Sequence, residues 1–220
     1  METIVASLSA FDAFFLEFFH EVYLTAGNIC TPIAKVLNII GDLPLLLIGW
    51  LGFALFFILK DKKCGMWMCG SVIIGAIIVS IILKNLIYRA RPYVDSQIYQ
   101  AWWQAFNLWP NWDTSFPSGH ACAAMSGTFA FFMWSRKKYI SWLAFLYPLI
   151  MGASRVYLCV HYPTDVVAGY IIGMLSAIIC IPFVKLFYWF FRKYPDLAFS
   201  RYCLTGETKK SKKKKELNNK

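Results

Sequence analysis

The stretch SRVYLCVHYPTD, from Ser154 to Asp165, places an arginine, a histidine and an aspartate between two apolar segments. Two further stretches share this character: KNLIYRARP runs from Lys84 to Pro92, and PSGH runs from Pro117 to His120. Charged side chains at the ends of membrane-length apolar segments are costly unless a functional site uses them. The three stretches together predict one site that combines cations, imidazoles and a carboxylate, as phosphoryl transfer requires.

The composition around these stretches is typical of a polytopic membrane protein. Of the 220 residues, 59% are hydrophobic, and the mean hydropathy is +0.52, which is too apolar for a soluble domain of this length. The net charge is +10, but the basic residues lie at segment ends and in a lysine-rich tail. This pattern is that of cytoplasmic loops and not of a nucleic-acid-binding face, so nucleic acid is not an expected partner.

Apolar runs of about 20 residues, the length of a membrane span, recur along the chain. They predict spans at 43–60, 66–87, 119–135, 139–158 and 164–190, the last bent at Pro182. Before them, apolar side chains recur at helical spacing over residues 4–24 and predict an amphipathic helix in the membrane interface. A polar-faced first span is the alternative, and a short helix from Pro32 to Ile40 leads onward. The expected fold class is therefore an all-α membrane bundle.

Three regions follow from this organisation. Residues 1–40 are expected to form the N-terminal interfacial helix and its lead-in, and residues 41–195 the membrane domain. Residues 196–220 are lysine-rich and poor in apolar side chains, which predicts a disordered basic tail.

The sequence predicts neither a cleavable signal nor a cysteine framework. The N-terminus lacks the basic region of a signal peptide. The seven cysteines lack metal-ligand spacing and predict no disulfide framework.

The loops predict the orientation of the bundle. Basic residues follow the first, third and fifth predicted spans, so these three regions lie on one side of the membrane. They are Lys60, Lys62 and Lys63 after the first span, Arg136, Lys137 and Lys138 after the third, and Arg192, Lys193 and the tail after the fifth. The positive-inside rule makes that side cytoplasmic. All three charged stretches then lie on the extracytoplasmic side, which supports a single composite site.

The connection from Pro92 to Pro117 is long and rich in tryptophan and tyrosine. Such side chains concentrate at membrane–water interfaces, so an interfacial belt is the first interpretation. The alternative is a cap over a site that binds lipid headgroups.

The first two stretches contain groups suited to bind phosphate. Lys84 and Arg91 are seven residues apart and share one face if the helix continues, whereas Arg89 points elsewhere and is left outside the site. A helix that begins at or just after Ser118 offers free backbone N–H groups to an anion. Gly119 allows close approach of the backbone, and His120 then lies in the first turn beside the anion.

The third stretch contains the second histidine and the carboxylate. Pro163 suits the first position of a helix, so His161 precedes that helix and Asp165 lies in its first turn. A carboxylate within reach of one imidazole nitrogen fixes the tautomer and leaves the other nitrogen as a nucleophile. The guanidinium of Arg155 suits bidentate binding of phosphate. His161 is therefore the expected nucleophile and His120 the expected general acid and base, with neither metal nor cofactor.

These stretches resemble the signature of the type 2 phosphatidic acid phosphatase family, K-x6-R-P, P-S-G-H and S-R-x5-H-x3-D, at every fixed position. The resemblance implies a helical membrane bundle, like that of the small bacterial members, and a role for each matching residue. His161 is implied as the nucleophile, His120 as the general acid and Asp165 as the group that orients His161. The residues implied to bind phosphate are Lys84, Arg91, Ser118, Gly119 and Arg155.

The expected function is hydrolysis of a lipid phosphate or pyrophosphate on the extracytoplasmic face, without a metal. Phosphatidic acid, phosphatidylglycerophosphate and undecaprenyl pyrophosphate all suit an apolar bundle, and the substrate lipid and surrounding membrane lipids are the expected partners. A phosphotransferase that uses the same site is one alternative. A non-catalytic relative that binds or transports lipid is the other.

Overall fold

The computed structural model describes residues 2–41, 62–110, 113–136 and 138–194. Every regular element in these ranges is helical, which confirms the all-α class for this part of the chain. The predicted span at 43–60 and the tail at 196–220 lie outside the described residues. The helices are α1 (Glu2–Gly41), α2 (Lys62–Ile77), α3 (Pro92–Asp95), α4 (Gln97–Gln104), α5 (Gly119–Trp134), α6 (Lys138–Ala144), α7 (Leu146–Tyr157) and α8 (Pro163–Lys193).

The N-terminal helix α1 is one long element with a kink. The sequence predicts two separate helices here, but the helical backbone is interrupted only at Ala26, where φ is −129° and ψ is 18°. Leu16 and Ala34 are buried, and α1 packs on α7 and α8. One face of α1 is therefore part of the folded bundle.

Helices α2, α5 and α8 form the centre of the bundle, and α8 packs most extensively on α5. Gly169 and Gly173 of α8 allow this approach. A Cβ at Gly169 would lie 2.6 Å from the Ser118 carbonyl oxygen, and one at Gly173 would lie 2.6 Å from that of Cys122. Small residues spaced one turn apart are typical of closely packed membrane helices. Because Gly169 lies one turn after Asp165, this contact also brings the second and third charged stretches together.

Beyond Ile77, α2 continues through a π-helical segment, Ile78–Leu83, and a last turn, Lys84–Leu86. Two helices of the described part, Lys63–Leu86 and Pro163–Lys193, are long and apolar enough to cross a bilayer. They match the spans predicted at 66–87 and 164–190, and Pro182 lies inside α8 without ending it. The total of five spans is not confirmed, since α5 has 16 residues and α7 only 12.

The segment predicted as one span at 139–158 is divided between α6 and α7. Pro148 has no N–H to donate to the carbonyl of Ala144, four residues earlier, so the regular hydrogen bonding is broken there. Phe145 instead donates its N–H to the Trp142 carbonyl, 3.1 Å away, in a turn between the two helices.

Several aromatic side chains of the connection after α2 pack against the bundle. The ring of Trp103 stacks on Tyr93 at 4.5 Å between centroids, and that of Trp102 stacks on His20 of α1 at 3.9 Å. Phe106 is buried beside Tyr157 at the end of α7. These contacts tie α3 and α4 to both α1 and α7, close to the charged stretches.

The bundle has a site end and a basic end. The N-termini of α5 and α8 meet where the Ser118 N–H donates to the Asp165 carbonyl, at 3.0 Å. At the opposite end the Lys63 ammonium group lies over the Tyr188 ring, 5.1 Å from its centroid. The start of α2 and the last part of α8 therefore share the end remote from the charged stretches.

Candidate active site

Backbone hydrogen bonds hold the three charged stretches together. The Ser115 N–H donates to the Arg89 carbonyl at 2.8 Å, joining the first stretch to the segment before PSGH. The Ser118 N–H donates to Asp165, and within the third stretch the Val160 N–H donates to the Arg155 carbonyl at 3.1 Å. The convergence expected from the sequence is therefore present in the fold.

His161 has a fixed tautomer. Its side chain is almost fully buried, and Nδ1 lies 2.7 Å from the Ser115 carbonyl oxygen. A carbonyl only accepts hydrogen bonds, so Nδ1 carries the proton and Nε2 keeps its lone pair. Nε2 lies 3.5 Å from Nη1 of Arg91 and so faces the cations. Burial, together with the positive charge of Arg91, lowers the pKa of His161 to about 4, which leaves it neutral near pH 7.

Asp165 acts on His161 mainly through Ser115. The sequence predicts direct contact, but Oδ2 of Asp165 is 3.9 Å from Nδ1 of His161, too far for a hydrogen bond. Instead, Oδ2 accepts from the Ser115 hydroxyl at 2.5 Å and from the Tyr162 N–H at 3.0 Å. The expected orienting role of Asp165 therefore requires Ser115 as an intermediary.

Arg89, which the spacing argument leaves outside the site, lies directly beside it. Nη1 donates to Oδ1 of Asp165 and Nη2 donates to Oδ2 of Asp12, both at 2.6 Å. The guanidinium also stacks on the Tyr162 ring at 4.0 Å. Burial alone would lower the pKa of Arg89, but the two carboxylates raise it above its ordinary value. The backbone from Ile87 to Arg91 is not helical, so the helix face predicted for this stretch does not exist.

Lys84 and Arg91 meet for a different reason from the one predicted. The last turn of α2 ends at Leu86, and Arg91 has extended backbone, so the two residues do not share a helix face. Both donate to the carboxylate of Asp113, through Lys84 Nζ and through Nη2 of Arg91. Burial would raise the pKa of Asp113, but these two cations lower it to about 2. Asp113 is therefore an anion held by the predicted phosphate-binding cations.

The PSGH stretch begins helix α5 as predicted. Ser118 is the N-cap, and its hydroxyl oxygen accepts from the Ala121 N–H at 3.4 Å. The space beside Gly119 is open, since a Cβ there would meet only Val79 Cγ1, at 3.8 Å.

Nε2 of His120 is buried and has no hydrogen-bond partner among the residues that the structure describes. A buried polar atom without a partner is costly unless a ligand supplies one.

Arg155 completes the group of cations. It is 1% exposed, and its Nη1 donates to Oδ1 of Asn38 at 2.7 Å. The charges of Arg155, Arg91 and Lys84 and the ring of His161 all act electrostatically on His120. The fold therefore brings both predicted catalytic histidines and the predicted phosphate-binding cations around one centre. Within the described ranges, no three His, Cys, Asp or Glu side chains cluster as metal ligands.

Four residues at this site were not predicted from the sequence: Asp12, Arg89, Asp113 and Ser115. Arg89 and Ser115 lie within or just before the quoted stretches, so their position in the chain was a usable signal. Asp12 is 152 residues from its partner Thr164, and no local pattern indicates such a pairing.

Known proteins share this sequence pattern and fold. The PAP2 superfamily profile matches residues 65–189, a range that includes all three charged stretches. Bacitracin transport permease protein BcrC of Bacillus licheniformis is 41% identical over 66 residues, 30% of this chain and 32% of that protein. Undecaprenyl-diphosphatase BcrC of Bacillus subtilis (strain 168) is 30% identical over 90 residues, 41% of this chain and 44% of that protein. The chain thus matches less than half the length of these curated relatives.

A solved structure is similar over most of its length. The crystal structure of Aquifex aeolicus LpxE matches with a TM-score of 0.61 and 24% sequence identity, over 76% of this chain and 94% of that one. At this identity the likeness shows a shared fold.

Proposed function

This chain belongs to the PAP2 superfamily, and we propose that it is a membrane phosphatase that hydrolyses a lipid phosphate or pyrophosphate through a phosphohistidine on His161. The buried Nε2 of His120 is the observation that carries the proposal. It has no partner in the described part of the chain and lies near His161 and three cations. A phosphate group at this point would accept from the cations and from His120 together.

In the first step, Nε2 of His161 attacks phosphorus, and the bond between phosphorus and the leaving oxygen breaks. Nε2 carries the lone pair for this attack because Nδ1 holds the proton, which it donates to the Ser115 carbonyl. Bound phosphate supplies the negative charge that favours a protonated His120, which donates its proton to the leaving oxygen. Lys84, Arg91 and Arg155 stabilise the charge on the equatorial oxygens.

In the second step, water replaces the leaving group. Neutral His120 accepts a proton from water, the oxygen of that water bonds to phosphorus, and the bond between phosphorus and His161 breaks. Orthophosphate leaves, and both histidines return to their starting states. The developing charges are opposed by cations, and the buried carboxylate of Asp165 is already ion-paired with Arg89, so we expect no need for a divalent metal.

A lipid substrate suits the surface beside the cations. Leu86, Ile87 and Tyr88 follow Lys84 closely and are 73%, 42% and 88% exposed, so apolar surface adjoins the phosphate-binding group. An acyl or polyprenyl chain would be attracted to that surface while its phosphate enters the site. The relatives named undecaprenyl-diphosphatase make undecaprenyl diphosphate the first substrate to test, ahead of phosphatidic acid and phosphatidylglycerophosphate.

The proposed orientation places the site outside the cytoplasm. Lys63, Arg192 and Lys193 lie at the ends of α2 and α8 that are remote from the site. By the positive-inside rule, that basic end faces the cytoplasm, and the site faces the opposite side of the membrane. The lysine-rich tail would then be cytoplasmic, continuing from the end of α8.

A substrate panel in detergent tests this function. Release of orthophosphate is measured from undecaprenyl diphosphate, phosphatidic acid and phosphatidylglycerophosphate, each with and without a chelator. We expect turnover of at least one lipid, unchanged by the chelator and reduced by about 10⁴-fold in His161→Ala. His20→Ala is the matched control, because His20 lies outside the site and stacks on Trp102. Turnover that survives His161→Ala, or that the chelator abolishes, contradicts the proposal.

A further inference from the structure

Asp12 of α1 is a buried carboxylate in a helix whose polar residues are otherwise mostly accessible. Its exposed fraction is 2%, whereas Glu17 and Glu21 of the same helix are exposed. A buried carboxylate is costly unless it is paired and hydrogen bonded. The partners of Asp12 therefore indicate why it is buried.

Those partners all belong to the charged stretches. Oδ2 accepts from Nη2 of Arg89 at 2.6 Å and from the Thr164 hydroxyl at 2.8 Å. Oδ1 accepts from the Thr164 N–H at 2.9 Å. This N–H belongs to the first turn of α8, where backbone donors lack partners within the helix. Asp12 thus both caps α8 from another helix and fixes one side of the Arg89 guanidinium.

The other side of the same guanidinium holds Asp165. A continuous set of contacts then begins at Asp12, which accepts from Arg89, and Arg89 also donates to Asp165. Asp165 accepts from the Ser115 hydroxyl, and the carbonyl of the same serine accepts from Nδ1 of His161. The four hydrogen bonds in this set are 2.5 to 2.7 Å long, and the hydroxyl and carbonyl of Ser115 are joined covalently within that residue. The N-terminal helix is therefore connected to the expected nucleophile.

We propose that Asp12 is a positioning residue for the phosphoryl transfer, acting through Arg89 and Asp165 to hold His161 in its attacking geometry. This inference rests on the function proposed above. Asp12 has no expected contact with substrate. Without the Asp12 charge, Arg89 has one carboxylate partner in place of two, and the Thr164 N–H keeps only a neutral acceptor. Asp165 and Ser115 are then held less firmly, and a nucleophile displaced by about 1 Å loses about 10²-fold in rate.

Asp12→Asn is the direct test, because it removes the charge and keeps the size. We expect kcat to fall between about 10-fold and 100-fold, with KM changed little because the cations that bind phosphate are untouched. Glu17→Gln is the matched control, because it also replaces a carboxylate by its amide, on the exposed side of the same helix. It should leave kcat and KM near those of the unmodified protein. A fall in kcat of equal size in both variants overturns the proposal.

A double-mutant cycle separates positioning from a general loss of stability. If Asp12 acts through Asp165, Asp12→Asn should reduce kcat by less than about 3-fold in an Asp165→Asn background, since coupled residues are not additive. Full additivity in the cycle overturns the proposal. If Asp12→Asn does not fold, Arg89→Lys breaks the same bridge and should show the same dependence on Asp165.

Vanadate binding supplies a readout that needs no turnover, because vanadate adopts the five-coordinate geometry of the transition state. Its affinity, measured from the rise in Tm with vanadate concentration, should fall with Asp12→Asn and should show the same non-additivity with Asp165→Asn. A protein that binds vanadate but hydrolyses no lipid contradicts the proposed function, while the cycle measured on vanadate affinity still decides the role of Asp12. A protein that does neither contradicts both.

Discussion

On one side of the site, His161 and Asp165 are 2% and 0% exposed and are hydrogen bonded to Ser115, Tyr162 and Arg89. On the other side, Lys84 and Arg91 are held by Asp113, whose side chain is 50% exposed. The first side is a buried network of protein groups. The second side has a carboxylate within reach of solvent, between two cations that are expected to bind phosphate.

This difference suits the two tasks of the site. A nucleophile performs best when its geometry is fixed before the substrate arrives, and buried hydrogen bonds fix it. An anion-binding site must instead exchange one anion for another, and a carboxylate that is 50% exposed can leave its two cations for solvent. We therefore interpret Asp113 as the anion that phosphate displaces and Asp165 as a permanent part of the site.

Changes at His120 should have the largest effect on the phosphate side. His120→Ala removes the expected general acid, and kcat for a lipid monophosphate should fall between about 10² and 10⁴-fold. The loss should be smaller for an aryl phosphate, because its leaving oxygen needs less help from a proton donor. Steady-state kinetics with both substrates measures this difference. An equal loss for the two substrates would show that His120 acts in another way.

Gly119→Ala should affect binding of the substrate more than folding. A Cβ at Gly119 meets only Val79 Cγ1, at 3.8 Å, so the substitution fits the structure, but it occupies space that a bound phosphate needs. We expect KM to rise by about 10-fold, with a Tm equal to or above that of the unmodified protein because alanine favours helix. A lowered Tm, or an unchanged KM, would contradict an anion site at the start of α5.

Asp113→Asn should strengthen the binding of anions. Removing the competing carboxylate frees Lys84 and Arg91, so the inhibition constant of orthophosphate should fall by about 2- to 5-fold, the range that a half-exposed ion pair allows. Glu21→Gln is the control, because Glu21 is an exposed acid of α1 that lines a surface with Tyr99 and Trp102. Weaker inhibition by phosphate in Asp113→Asn would show that Asp113 positions the cations and does not compete with substrate.

The smallest expected effect is on stability against pH. The pKa of His161 is about 4 in the fold, against an ordinary value of 6.5, so the unfolded chain binds more protons between these values. The free energy of unfolding should therefore decrease as the pH falls through this window. The Tm in detergent measures this, and His161→Gln should flatten the slope while His20→Gln retains it. Equal slopes in all three proteins would contradict a buried, neutral His161.

The sequence predicted the parts of the site that depend on local rules. Pro163 at the first helical position indicated the start of α8, and Ser118 as N-cap indicated that of α5; both starts are confirmed. These rules depend on backbone donors and on the fixed φ of proline, which are properties of neighbouring residues.

The remaining features depend on contacts between distant segments. The chain leaves helical geometry after Leu86, so the predicted face for Lys84 and Arg91 does not exist, and Asp113 brings them together instead. Asp12 lies 152 residues before its partner Thr164, beyond the reach of any local pattern. Its burial became evident only when Arg89 and Thr164 were placed beside it.

His161 is the residue that we expect to become phosphorylated. A lipid substrate with a ³²P-labelled transferred phosphate, mixed with the protein and quenched at alkaline pH, should leave label on the protein, since phosphohistidine survives base and is lost in acid. Mass spectrometry should locate the phosphate on His161, and His161→Ala should retain none. Label at His120 or at a serine would contradict this prediction. Net inversion of configuration at phosphorus would also contradict it, because two successive displacements give retention.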